Sequence, residues 1–159
     1  MIMKKLKLYI ETSVWNFLFA EDAPDKQRDT QRFFEEIGSG DYELFVSELV
    51  IAEIKRASQS ISEKLLIKVE EFEPEELEVT DEVRELTYKY AAANLLPEKA
   101  FDDLVHAAVA TVNNMDFLVS WNLKHIVKIK TIVGINAVNI LAGYRELKIC
   151  DVLGVFSDE

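Results

Sequence analysis

A chain of 159 residues that is 49% apolar can bury one sizeable core, which excludes a disordered tail and a disulfide-held miniature. Its 29 acidic side chains against 18 basic ones leave a net charge of -11. That balance excludes a broadly basic face for gripping a duplex, but not a cluster of acids that repel one another until a divalent cation arrives. The one cysteine, Cys150, has no internal disulfide partner and fits a small core residue in a reducing compartment. Lys4, Lys5 and Lys7 flank an apolar run too short for a signal peptide, and no stretch reaches membrane-spanning length. The expectation is a cytoplasmic protein with no membrane partner, folded as a single domain over residues 1–159.

Leu6 to Ile10 is β-rich and nearly continuous in apolar character, as in a strand buried on both faces, and it ends at Glu11-Thr12-Ser13. Ligands of open α/β sheets sit at the carboxyl ends of strands, which makes Glu11 a candidate for chemistry; a surface-loop glutamate is the plain alternative. Val14 to Phe19 crowds Trp15, Phe17, Leu18 and Phe19 into a core or lid segment. The polar run Glu21 to Thr30 with Pro24 reads as a loop, and Gln31 to Ile37 as a helix stopping at Gly38-Ser39-Gly40.

Tyr42 to Ser47 is a second strand, and Ser47 caps a helix that opens at Glu48. In that helix Leu49, Glu53 and Arg56 share a row, which places Glu53 in a half-buried position; an ion pair with Arg56 or Lys55 is its bland role. Ser60 or Ser62 starts a further helix through Val69. Between Glu70 and Glu85 stand nine carboxylates and one arginine, with Pro74 among them, a solvated linker leading into a helix begun by Thr80. Val83, Leu86, Tyr90 and Ala93 supply its apolar face.

Leu95 to Lys99 is a loop that delivers the chain to Phe101-Asp102-Asp103-Leu104-Val105-His106-Ala107-Ala108. Apolar residues cover most of the circumference of this helix, as suits one packed on several sides. Asp102 and Asp103 are tolerable in its first turn, where unpaired N–H groups and the positive end of the dipole lie. One caps and the other meets solvent, or one supplies a metal-binding oxygen. His106, one turn on, either orients an acid or a water, or is a core histidine bonded to a carbonyl. Phe117 to Val119 is a third buried strand, followed by Ser120-Trp121-Asn122, and Leu147 to Cys150 is the last strand. From Leu118 to Cys150 there are five Lys or Arg against Glu146 alone, so this side can attract a phosphate backbone, with Lys124 and His125 as candidate contacts to it. Trp15 and Trp121 stack bases if exposed and pack the core otherwise. Strand ends converge at the switch point of a parallel sheet, where Glu11, the Ser47 to Glu53 segment, Asp103 and Asn122 would offer oxygens to a hard cation.

Four blocks, Tyr9-Ile10-Glu11-Thr12-Ser13-Val14, Ser47 to Ile54, Asp102 to Ala108 and Leu118 to Asn122, resemble the PIN domain family, especially the toxin ribonucleases of toxin-antitoxin pairs. The resemblance implies a three-layer α/β/α domain with a mainly parallel sheet of about five strands. It also implies Mg2+- or Mn2+-dependent cleavage of RNA, frequent homodimers, and a small antitoxin protein that blocks the site. Glu11 falls where the family has its first aspartate, Glu53 at its glutamate and Asp103 at its helix-opening aspartate, with Asp102 in reserve. Asn122 falls where another aspartate is usual, and Ser120 at the family's threonine or serine. The implied catalytic set is Glu11, Glu53, Asp103 and Asn122, of which Glu11, Glu53 and Asp103 hold the metal; Ser13, Asp102, Ser120 and His106 support them. Asn122 lacks the charge that a second metal position requires. The alternative implied by that loss is a catalytically degenerate RNA-binding or protein-interaction module.

Overall fold

The computed structural model describes residues 4–157. Leu6–Ile10 forms strand β1, whose pleat turns Tyr9 to one face of the sheet and Leu8 and Ile10 to the other; Leu8, Tyr9 and Ile10 are all fully buried. The chain then enters helix α1 (Thr12–Phe17), capped by Glu11 itself, whose carboxylate accepts the Ser13 N–H. Helix α2 spans Pro24–Ile37. The loop expected up to Thr30 is therefore helical from Pro24 onward. Proline at the first helical position needs no N–H donor, and the polar residues of the first turns lie on a mostly exposed face while Thr30, Phe33, Phe34 and Ile37 point inward.

Strand β2 (Tyr42–Ser47) passes directly into helix α3 (Glu48–Lys55), with the Ser47 hydroxyl accepting the Val50 N–H as an N-cap. Helix α4 runs Gln59–Phe72, longer at both ends than the expected Ser60 or Ser62 to Val69, and ends on Glu73 in the left-handed region at φ 48°. The acidic stretch expected to be linker contains strand β3 (Glu75–Leu77). It is an edge strand of which only Leu77 is buried, so two glutamates are tolerated on it. Thr80 caps helix α5 (Asp81–Ala92) through the Val83 N–H, and a short 3-10 turn (Glu98–Ala100) leads into helix α6 (Phe101–Val112). Strand β4 (Phe117–Val119), helix α7 (Ile129–Leu141), strand β5 (Lys148–Cys150) and helix α8 (Val152–Ser157) complete the described chain.

The five strands form one sheet in the order β3-β2-β1-β4-β5, with every pairing parallel. Helix α5 packs on α6 and α7, while α1 packs on α2, α3 and α4, and α8 on α2. The buried apolar residues make one cluster, with Leu8, Tyr9, Ile10 and Leu118 at its centre and Trp15, Phe33 and Phe34 on the α1–α2 side. Because the chain winds from β1 toward β3 on one side and returns to β4 on the other, the switch point falls between β1 and β4. The crevice at the carboxyl ends of those two strands opens where Glu11 and Ser120 meet. The outer face of α7 carries exposed Ile129, Val133, Ile140 and Leu141. Among the described residues no helix is long and apolar enough to cross a membrane.

Candidate metal centre

Glu11 follows the last residue of β1, where its N–H bonds the Val119 carbonyl of β4 at 3.0 Å, so backbone pairing itself brings the two strand ends side by side. Its side chain is 5% exposed and accepts three hydrogen bonds. Ser120 Oγ donates to Oε1 at 2.5 Å, Ser13 Oγ donates to Oε1 at 2.6 Å, and the Ser13 N–H donates to Oε2 at 3.0 Å. Ser13 Oγ in turn accepts the Trp121 N–H at 2.8 Å, and Ser120 Oγ accepts the Asn122 N–H at 2.9 Å. The two serines thus lock the carboxylate to both strand ends. Ser120→Ala removes a donor to a buried charged group, and a loss of about 1.5–3 kcal/mol in unfolding free energy is expected in denaturant titration.

Glu53 comes from the second turn of α3, a helix held in place by the Ser47 cap. Thr12 Oγ1 donates to its Oε1 at 2.7 Å, and His106 Nε2 lies 2.6 Å from the same oxygen. Those are the only hydrogen bonds of its carboxylate among the described residues. The ion pair with Arg56 or Lys55 is not formed, because Arg56 reaches Asp102 at 3.6 Å instead. Asp102 therefore meets an arginine at the surface; helix α6 begins at Ala100 with no side-chain cap, which corrects the expectation that one of the paired acids caps it.

His106 is fully buried on α6, and its ring bonds no carbonyl among the described residues. Its Nδ1 lies 2.7 Å from the Tyr9 hydroxyl, which lies 2.8 Å from Ser47 Oγ. A chain of hydrogen bonds therefore runs Ser47, Tyr9, His106, Glu53, Thr12, joining β1, β2, α1, α3 and α6. Asp103, one turn earlier on α6, is paired with His125 Nδ1 at 3.2 Å. Asn122 sends Oδ1 to the His125 N–H at 3.0 Å, so its side chain closes the turn that presents His125. Lys124 is exposed on that turn. Trp121 is 6% exposed, with its indole N–H on Thr30 Oγ1 at 2.7 Å, and Trp15 is fully buried with its N–H on the Ile10 carbonyl at 3.3 Å. Both tryptophans are core residues. Lys26 Nζ sits 5.3 Å from the Phe17 ring and 5.4 Å from the Trp121 ring, a cation beside the Ser120–Asn122 segment.

The electrostatics follow from burying several acids near one imidazole. Burial opposes the Glu53 charge, but the hydrogen bond and charge of His106, with the Thr12 hydrogen bond, hold its carboxyl below the ordinary value. Burial likewise opposes a charge on His106, yet the Glu53 hydrogen bond and the charges of Glu11, Glu53 and Asp103 raise its pKa. Asp103 is raised by burial and then by Glu11, against the pull of His106 and His125. Burial pushes the Tyr9 phenol well above its usual range, so it is a neutral donor. His106 stabilises fully below its unfolded pKa of about 6.5 and loses that contribution as pH rises through its higher folded value. Asp103 acts in the same direction at lower pH, and Glu53 in the opposite direction below about 4.3. In EDTA the melting temperature is thus expected to fall between pH 6 and pH 8, and His106→Gln should flatten that fall.

One oxygen each from Glu11 and Glu53 and a ring nitrogen of His106 lie within 4.8 Å of one another. Two carboxylates and an imidazole so placed, largely shielded from water, are a donor set suited to a divalent ion. Asp103 is near enough for its charge to act on His106 and to feel that of Glu11. Asn122 is turned to backbone capping. Sequence reasoning passed over Thr12 and Tyr9; the signal for Tyr9 was a phenol in a strand buried on both faces, which must find a polar partner.

No family model and no curated protein matches the chain by sequence. Solved structures do match by fold. Mycobacterium tuberculosis VapC20, described as a sarcin-ricin loop cleaving toxin, aligns with a TM-score of 0.59 at 16% identity over 88% of this chain and 98% of its own. A chain of Salmonella typhimurium VapBC bound to DNA aligns with a TM-score of 0.58 at 19% identity, covering 92% of this chain and 98% of its own. A chain of Rickettsia felis VapBC2, bound to a fragment of its promoter, gives 0.54 at 14% identity with coverages of 92% and 98%. The chain has the PIN-like fold of these VapC toxins.

Proposed function

We propose that the protein is a divalent-metal-dependent endoribonuclease of the toxin type, acting on RNA phosphodiester bonds through Glu11, Glu53 and Asp103 with Mg2+ or Mn2+. The observation that carries this reading is the convergence of Glu11, Glu53 and the Asp103–His106 turn of α6 at the switch point of a PIN-like sheet. When bound, the ion activates water and neutralises charge on the scissile phosphate. The residues of the chain prepare that chemistry. Ser13 and Ser120 fix the rotamer of Glu11, while Thr12 and His106 fix that of Glu53 and leave its Oε2 without a protein donor among the described residues. His125, presented by the Asn122 turn, holds Asp103. Lys124 and Lys26, on the rim beside that turn, supply cations for the RNA backbone on an otherwise acidic molecule.

The capping role of Asn122 supports a single-ion centre, since its side-chain oxygen is engaged with the His125 N–H. The same observation favours the second reading, a catalytically inactive RNA-binding or protein-interaction module. Gel analysis of RNA incubated with purified protein separates them. Cleavage with Mn2+ or Mg2+ that EDTA abolishes supports the nuclease; intact RNA under every divalent ion tested, with RNA or protein binding retained, supports the module.

The partners follow from the same reading. The Salmonella and Rickettsia neighbours are VapBC complexes, which supports a small antitoxin protein here as well. The apolar outer stripe of α7, with Ile129 81%, Val133 63%, Ile140 58% and Leu141 88% exposed, supports a homodimer through that face. Ile140→Asp is expected to halve the mass measured by light scattering; an unchanged mass removes α7 from the interface. The whole chain reads as one cytoplasmic domain.

A further inference from the structure

We infer that His106 is itself a metal ligand, its Nε2 binding the divalent ion with Glu11 and Glu53, so that the centre is a mixed nitrogen–oxygen site selecting Mn2+ over Mg2+. The inference rests on the metal-dependent reading of the site and adds to its carboxylates a nitrogen donor.

The position of Nε2 is the first argument. A ring nitrogen of His106 belongs to the group of three ligand atoms that lie within 4.8 Å of one another, Nε2 is the nitrogen that meets Glu53 Oε1, and the side chain is fully buried on an internal helix. Neighbouring ligands of a first-row ion with bonds of about 2.1 Å stand about 3 Å apart. The Nε2 to Glu53 Oε1 separation is 2.6 Å, so a few tenths of an ångström of opening turns a hydrogen bond into two adjacent ligands.

The far side of the ring is also built as a ligand's would be. A ligating histidine almost always donates its other ring N–H to an oxygen, which fixes the tautomer and raises the basicity of the bound nitrogen. His106 Nδ1 has such an oxygen in Tyr9 at 2.7 Å, and the Tyr9 hydroxyl can in turn donate to Ser47 Oγ at 2.8 Å. With Nδ1–H donating to the phenol and the phenol donating to the serine, loss of the Nε2 proton that meets Glu53 Oε1 would free the Nε2 lone pair for the ion. The third argument is selectivity. Mg2+ strongly prefers oxygen and water, whereas imidazole suits transition ions, so an imidazole in the first coordination sphere tilts an otherwise carboxylate site toward Mn2+.

Pulsed electron paramagnetic resonance of the full chain loaded with Mn2+ tests this without reference to activity. A nitrogen coupling to the bound ion is expected. It should change to the 15N pattern when histidine is supplied as 15N, persist in His125→Ala, and vanish in His106→Gln. Calorimetry should show Mn2+ bound at least about 10-fold more tightly than Mg2+, with the ratio falling toward one in His106→Gln. Bound Mn2+ without nitrogen coupling, or a coupling lost in His125→Ala, overturns the inference and leaves the ribonuclease reading standing. Failure to bind Mn2+ at all overturns both. If His106→Gln does not fold, the labelled wild-type protein and His125→Ala decide the matter by themselves.

Discussion

Glu53→Gln is expected to lower RNA cleavage by on the order of 10²-fold or more while the protein keeps its fold. The amide oxygen of glutamine still accepts from Thr12 and His106, whose donors converge on Glu53 Oε1, so the packing between α1, α3 and α6 survives. What disappears is the negative charge. Without it the ion loses one of two carboxylates in the three-atom group, and His106 loses the partner that raises its pKa most. The checks are single-turnover cleavage at saturating Mn2+ and a calorimetric metal titration; circular dichroism verifies the fold. Retention of wild-type cleavage would remove Glu53 from the centre.

Asp103→Asn separates activity from stability in the opposite sense. Burial and the Glu11 charge both penalise the Asp103 carboxylate, as its raised pKa records. Replacing it with a neutral isostere relieves that repulsion, so the melting temperature in EDTA should hold or rise while cleavage falls by on the order of 10²-fold. A residue that weakens the fold it sits in is expected at a functional site. A melting temperature that drops sharply, with cleavage unchanged, would make Asp103 a structural partner of His125 and nothing more.

The legible parts of this chain were those where one local signal dominated. Strands β1 and β2 were readable to the residue because apolar runs ended at Glu11 and at the capping Ser47. Strand β3 was hidden because an edge strand with one buried residue has the composition of a linker. The start of α2 was hidden because Pro24, read as a breaker, stands at the one helical position that suits it. Helix α7 is apolar on nearly all sides and mixes in β-branched residues, so no period identified it. At the site, strand-end logic and the family resemblance pointed to Glu11, Glu53 and Asp103, whereas the three-atom group is made by Glu11, Glu53 and His106. The fate of Asn122 was not legible, since an amide at a strand end is equally suited to a ligand and to a turn cap. Nor was the Tyr9–His106–Glu53 chain, which joins three elements far apart in sequence and exists only after the sheet has formed.

The central claim is that a divalent ion sits among Glu11, Glu53 and Asp103. Crystals soaked in Mn2+ and measured at the manganese absorption edge test it directly. One anomalous peak is expected at the carboxyl ends of β1 and β4, within bonding distance, about 2.0–2.3 Å, of the oxygens of Glu11 and Glu53, with Asp103 bonded directly or through one water. A crevice without a peak at Mn2+ concentrations that support cleavage, or a peak bound elsewhere on the acidic surface, would contradict it.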